Sequence, residues 1–222
     1  MTGRSLVVTV VLFSLRDDAL RVLLVPVLSG LVPGLSGLVP QEAARWQLPG
    51  QELRPDEGLE EAANRLLGGL LERREAYLEQ LYTYGVAQSP AVRVVYFALV
   101  PADRAQAPDG SGRWFPVAAL PDLASEQAEV LAYALRRLRY KLEYSAVGFQ
   151  LLPGEFSLSE LQHTYEVILG EQLDKRNFRR RMLQSGIIEP TVHRRLGEGR
   201  PARLYRYRPD AVAEVKARRL FP

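Results

Sequence analysis

The chain opens on a nearly unbroken apolar run. Residues 5–15, SLVVTVVLFSL, are rich in β-branched side chains; Arg16-Asp17-Asp18 stops the run and ALRVLLVPVL resumes it at Ala19. Two short apolar runs around a charged turn predict a hairpin of buried strands. WQLPG, from Trp46 to Gly50, leads into a turn, and leucines at 59, 66, 67 and 70 then recur at helical spacing. With Pro55 ahead of Asp56, this predicts a helix over 56–71 capped by Asp56. YLEQLYTYGV, VRVVYFALVP and GRWFPVAAL read as further strands and their connections. Leu131, Leu135, Leu138 and Leu142 predict a second helix over 125–143, with Arg136, Arg137 and Arg139 beside them. Strands, helix, strands, helix describe an α/β sandwich.

Pro153-Gly154, inside LLPGEF, breaks any continuing helix and divides the chain into domains 1–152 and 153–222. Beyond it the pattern is helical again. Ser157 and Glu160 match a capping box; Leu158, Leu161, Tyr165 and Ile168 share one face, and Gly170 ends the helix. Asp174 caps the next one, with Leu173 and Phe178 spaced as a hydrophobic staple. On a 3.6-residue wheel Phe178 and Met182 point inward, which leaves Arg176 and Arg180 on the opposite face and Arg179 on its flank. Residues 187–192 and 202–207 then form two strands around a turn at 197–201, with Arg203, Tyr205 and Tyr207 on one face by alternation. Helix, helix, hairpin is a winged helix-turn-helix.

Charge gives that domain a partner. Residues 174–222 carry 14 Lys or Arg against 5 Asp or Glu, a balance of +9, whereas residues 1–173 carry 15 against 21, a balance of −6. Phosphates bind clustered cations by releasing counterions, so the basic part is the expected contact surface for double-stranded DNA. The second helix would enter the major groove with Lys175, Arg176, Asn177, Arg179 and Arg180. Arginine there can pair bidentately with guanine, and Asn177 can serve an adenine or a phosphate. Arg200, Arg203 and Tyr205 of the wing would meet the DNA backbone.

The 222 residues, 47% of them hydrophobic, suffice for an ordinary domain and a small one. No apolar run approaches the roughly 20 residues of a membrane helix, and the start lacks a signal-peptide cleavage pattern. The absence of cysteine excludes disulfides and thiol chemistry, so a cytoplasmic protein is expected. His163 and His193 have no second ligand at metal spacing and are read as surface residues. LSGLVP occurs at residues 28–33 and again at 35–40, and reads as an inserted apolar loop, either a tolerated duplication or a flap or dimer contact.

WQLPG, RPDEGLEEAANRL, YLEQLYTYG, RWFPV, KLEYS, FSLSELQHTYEVILGEQLDKRNFRRRML and GRPARLYRY together resemble the Nudix-related transcriptional regulators of bacteria, the NrtR-like proteins. The resemblance covers nearly the whole chain. It implies a Nudix-like α/β/α sandwich followed by a winged helix, and a homodimeric repressor of genes of NAD metabolism or sugar use. It also implies a palindromic operator and an effector such as ADP-ribose. A working Nudix box has a glycine, a glutamate six residues on, and then an Arg-Glu and a Glu-Glu pair on a helix that together hold magnesium. This chain keeps Glu57 and Arg65 but has Gln51, Leu66, Gly69 and Leu70 at the other positions. Leucine and glycine side chains offer Mg²⁺ no oxygen, so neither metal, cofactor nor hydrolysis is expected; Glu60 and Glu61 are read as first-turn acids that suit the helix dipole. An effector diphosphate needs cations, for which Arg45 and Arg93 are the candidates, with Trp46 or Tyr96 for stacking and Glu57 completing the set. The rival readings are a metal-dependent pyrophosphohydrolase of ADP-ribose-like substrates and a binder of structured RNA.

Overall fold

A computed structural model describes residues 5–27, 46–72, 76–85, 91–106, 112–196, 201–208 and 210. The chain forms two compact units, Met1–Ala134 and Leu135–Pro222, and the division falls within a helix. The LSGLVP repeat, Arg45, Arg200 and most of the wing turn lie outside the described residues.

The first unit comprises strands β1 (Ser5–Arg16), β2 (Ala19–Pro26), β3 (Trp46–Gln47) and β4 (Gly50–Glu52), helix α1 (Leu59–Leu70), strands β5 (Tyr77–Gly85), β6 (Ala91–Leu99) and β7 (Arg113–Pro116), and the start of helix α2 (Ser125–Tyr144). The predicted hairpin forms: β1 and β2 pair antiparallel from Arg16↔Ala19 to Phe13↔Val22. Asp17 and Asp18 hold φ of 48° and 55°. Two left-handed residues make the turn whose twist matches a hairpin, and the short polar side chain of Asp tolerates that conformation. Along its other edge β1 runs parallel to β6 from Ser5 to Phe13, while β4 pairs with Val7–Thr9 on the edge that β2 takes further along. β5 extends the sheet beyond β6, while β3 and β7 attach to β2. Because β1 is paired along both edges and covered on both faces, Val10, Val11, Leu12 and Phe13 are all fully buried, and the strand reads as a run rather than an alternation.

Alternation decides which helix each residue of β6 meets. Val94, Tyr96 and Ala98 pack with Val8, Val10 and Leu12 beneath Ala62, Ala63, Leu67 and Leu70 of α1. Arg93 and Val95 face the other way, where β5 places Tyr84 and Tyr82 opposite them. That face receives the first turns of α2: Tyr133 meets Tyr82 edge-on at 5.0 Å, and Gln127 Oε1 accepts the Leu48 backbone N–H at 2.6 Å. Helix α1 starts later than the sequence predicts, with Gly58 rather than Asp56 as its N-cap. The cause is Glu57, whose carboxylate accepts the Arg54 N–H at 2.9 Å and holds 54–57 as a turn; Glu61 then accepts the Gly58 N–H at 2.8 Å.

The second unit takes the last turns of α2, a short 3₁₀ turn at Val147–Leu151, β8 (Phe156–Ser157), α3 (Leu158–Leu169), α4 (Lys175–Gln184), β9 (Ile188–Arg195) and β10 (Ala202–Tyr207). Its sheet runs β8-β10-β9. Ser157 and Glu160 form the predicted capping box, and Gly170 closes α3 at φ 78°, a conformation glycine reaches without steric cost. Tyr165 of α3 meets Phe178 of α4 edge-on at 5.6 Å over a core that includes Leu161, Ile168 and Met182. Phe149 packs between Phe156 at 5.5 Å and Tyr207 at 4.9 Å, so the 3₁₀ turn ahead of Pro153 belongs to this core. A Cβ on Gly148 would stand 2.8 Å from Leu142 and 3.0 Å from Tyr165, which is why a glycine passes there.

Candidate nucleic-acid interface and nucleotide site

Helix α4 is amphipathic in the predicted sense. Asp174 caps it by accepting the Asn177 N–H at 2.7 Å, Phe178 and Met182 are buried, and Lys175, Arg176 and Arg180 are exposed. The α3–α4 turn that aims it is built by side chains the sequence pattern does not reveal. Gln162, buried on α3, donates to the Leu173 carbonyl and to Glu166 Oε1, both at 2.9 Å, and the same Oε1 accepts the Leu173 N–H. Arg139 of α2 donates at 2.8 Å to the Ile168 carbonyl, one of the last carbonyls of α3 that lie beyond the reach of its own backbone N–H groups.

The basic residues divide into two kinds. Arg195 pairs with Glu160, Arg206 with Glu189 at 2.5 Å, and His193 Nδ1 lies 2.9 Å from Glu155. Arg179 is half-buried and donates to Ser159 on α3 at 2.9 Å, so it braces the two helices as well as flanking the exposed face. Lys175, Arg176, Arg194 and Arg203 are exposed and have no ion pair among the described residues. Arg180 donates to Asn177 Oδ1 at 2.8 Å on the exposed face. In the wing, Arg203 pairs in register with Arg194 across β9 and β10, and the register shifts before Tyr205. Tyr205 is half-buried opposite Phe156, and Tyr207 turns to Phe149 in the core.

In the first unit the remnant box is closed upon itself. Arg65 donates to Glu57 through Nε at 2.9 Å and again through Nη2, to Gln51 Oε1 at 2.5 Å, and to the Glu52 carbonyl at 3.2 Å. Gln51 in turn donates to the Ala62 carbonyl at 2.6 Å. The hydrogen bond from Arg65, reinforced by the Arg54 N–H, holds the Glu57 carboxyl down at about 2. Leu70 is 5% exposed and Leu66 packs against the core, while Gly69 lies on the surface. Magnesium needs a shell of oxygens; two leucines, a glycine and a glutamate engaged by arginine do not fit that ion.

Among the described nucleotide candidates, Arg93 and Tyr96 do not share a face, because they are three positions apart on a strand. Tyr96 is a core residue on the α1 side, 6% exposed, with its hydroxyl 3.5 Å from Gln80 and its phenol raised by burial and then by Glu60. Arg93 sits on the α2 side with its Nε 3.1 Å from Glu126 Oε1, to which Tyr84 also donates at 2.5 Å. Burial first, then Glu126, holds the Tyr84 phenol far above its usual range. Trp46 lies on β3, half-buried, edge-on to Phe115 at 4.9 Å, and Arg113 covers the same Phe115 at 5.3 Å. Glu126 and Tyr84 carry no recognisable sequence signal, since they are 42 residues apart.

Residues 148–207 match the model of the NrtR DNA-binding winged helix domain. The chain is 37% identical over 173 residues to the "ADPR responsive transcriptional repressor NtrR" of Acinetobacter baylyi, covering 73% of this chain and 69% of that protein. The chain belongs to the NrtR family. Shewanella oneidensis NrtR, solved in complex with a 27mer DNA, is 33% identical to it, with a TM-score of 0.78 over 94% of this chain and 95% of that one. The Nudix-like fold followed by a winged helix is therefore the NrtR architecture. A MutT/nudix family protein from Enterococcus faecalis, 22% identical with a TM-score of 0.69 over 93% of this chain and 88% of its own, shares the fold alone. The family model spans both α3 and α4 together with the β8-β10-β9 sheet. Among the described residues no helix is long and apolar enough to cross a membrane.

Proposed function

We propose that this chain is a DNA-binding transcriptional repressor whose Nudix-like unit senses ADP-ribose or a related nucleotide and hydrolyses nothing. The observation that carries the reading is the outward face of α4: Lys175 and Arg176 have no ion pair among the described residues and stand on a helix whose other face is locked by Phe178 and Met182. Cations so placed are available to phosphates and base edges. The 27mer DNA of the Shewanella relative and the ADPR response of the Acinetobacter relative support the two partners. The missing box oxygens support the loss of hydrolysis, because without the ion neither the pyrophosphate nor the attacking water has its main activator.

Repression released by a nucleotide requires that the nucleotide bind the DNA-incompetent arrangement better, with a few kcal/mol of differential affinity. Helix α2, which contains the division between the two units, is the lever in this proposal. A two-fold dimer would meet a palindromic operator.

The test is fluorescence anisotropy with the full chain and DNA from upstream of its own and neighbouring operons, at physiological salt, with and without ADP-ribose. Sequence-dependent binding weakened by ADP-ribose is expected. Specific binding that ignores the nucleotide would refute the sensor, and Mg²⁺-dependent release of AMP from ADP-ribose would refute the inactive box.

A further inference from the structure

We propose that Asn177 and Arg180 act as one preorganised unit that reads guanine rather than adenine in the operator. This rests on the DNA-binding reading above and adds its base preference. An asparagine free on a recognition helix reads adenine by accepting from N6 and donating to N7, so it needs its amide oxygen. Here that oxygen accepts from Arg180 Nη2 at 2.8 Å. The backbone of Asn177 is held at the same time by the Asp174 cap at 2.7 Å, which fixes where its side chain leaves the helix.

An amide oxygen has a second lone pair, but its neighbourhood is now a guanidinium. An adenine amino group brought to that oxygen would stand beside the cationic N–H groups of Arg180, donor against donor. What the pair presents outward is the Asn177 amide N–H groups and the remaining guanidinium N–H groups, all donors. Lys175 and Arg176, in the same first turn, are donors too. Guanine alone shows two acceptors side by side in the major groove, O6 and N7. The N-terminal residues of a recognition helix are those that reach base edges in helix-turn-helix proteins; Asn177 is the third residue of α4, and Arg180, the sixth, stands about one turn further on and reaches back to it.

The hydrogen bond also makes the two residues a single reader. Arg180 is held in one orientation by Asn177, so the loss of either partner should remove the discrimination once, not twice. Selection from a randomised operator, followed by competition binding with the full chain, tests this with wild type, Asn177→Ala, Arg180→Ala and the double variant. Arg176→Ala serves as a control that should change a different base position. Wild type is expected to prefer guanine over adenine at one half-site position by roughly five- to a hundredfold, the range of a good bidentate contact. Each single variant should lose most of that preference, and the double variant should lose no more than the worse single, the signature of coupled residues. Additive losses, a preference unchanged in Asn177→Ala, or adenine at the position that Asn177→Ala relaxes would overturn the inference while leaving a DNA-binding repressor. Absence of any sequence-specific binding by wild type would overturn that reading and this inference with it.

Discussion

Two arginine-bearing helices in this chain have opposite fates. On α1, Arg65 directs its guanidinium to Glu57, Gln51 and the Glu52 carbonyl, and the site that would hold a metal and a pyrophosphate in a working Nudix box is closed by its own side chains. On α4, Lys175 and Arg176 have no acidic partner among the described residues, and Phe178 and Met182 turn them outward. One helix uses its charge to hold a loop, and the other leaves its charge without an acidic partner; under the proposed reading it is this uncommitted charge, rather than charge as such, that meets DNA. The sequence motif that is easiest to recognise, the remnant box, is where Arg65 ties Glu57, Gln51 and Glu52 together.

The contrast can be broken most severely through the core beneath α4. Phe178→Ala should destabilise the second unit by about 3–5 kcal/mol, the range for truncating a buried phenylalanine. Thermal melts should then show early loss of the winged helix together with specific DNA binding. Arg176→Ala leaves the fold intact and should cost about 1–3 kcal/mol in operator affinity with relaxed preference at one base position; equal losses on every sequence would demote it to a phosphate contact. Lys175→Ala, if it meets phosphate, should weaken binding uniformly and lower the slope of log affinity against log salt by about 1. On the other helix, Glu57 is depressed from 4.5 to about 2 by Arg65. The stabilisation from that pair is therefore complete above pH 4.5 and is lost as pH falls toward 2. Carboxyl titration by NMR should show the low value in wild type and its return toward 4.5 in Arg65→Ala. The smallest effect is expected for Arg206→Ala, which breaks an exposed pair with Glu189 and should change stability by about 0–1 kcal/mol.

Much of this was legible along the chain because it depends on neighbours. The Arg16-Asp17-Asp18 turn, the Ser157–Glu160 box, the Asp174 cap and the inward Phe178–Met182 pair all follow from spacings of a few residues. Helix α1 starts beyond the predicted Asp56 cap for a related reason: Pro55-Asp56 is a good local cap, but the Glu57 carboxylate, held by Arg65, accepts the Arg54 N–H and keeps residues 54–57 as a turn. Two of the nucleotide candidates part where simple alternation applies, since Arg93 and Tyr96 cannot share a face of β6.

By itself, then, the sequence determined the order of strands and helices, the opposite charges of residues 1–173 and 174–222, and the loss of the magnesium ligands, because composition, period and short-range caps are local properties. Only the tertiary structure decided which polar groups are already engaged. Arg93 was given to Glu126, Arg179 to Ser159 across 20 residues, and the Asn177 oxygen to Arg180. Such choices depend on which side chains packing brings within hydrogen-bond distance, and each changes which atoms a residue still has to offer.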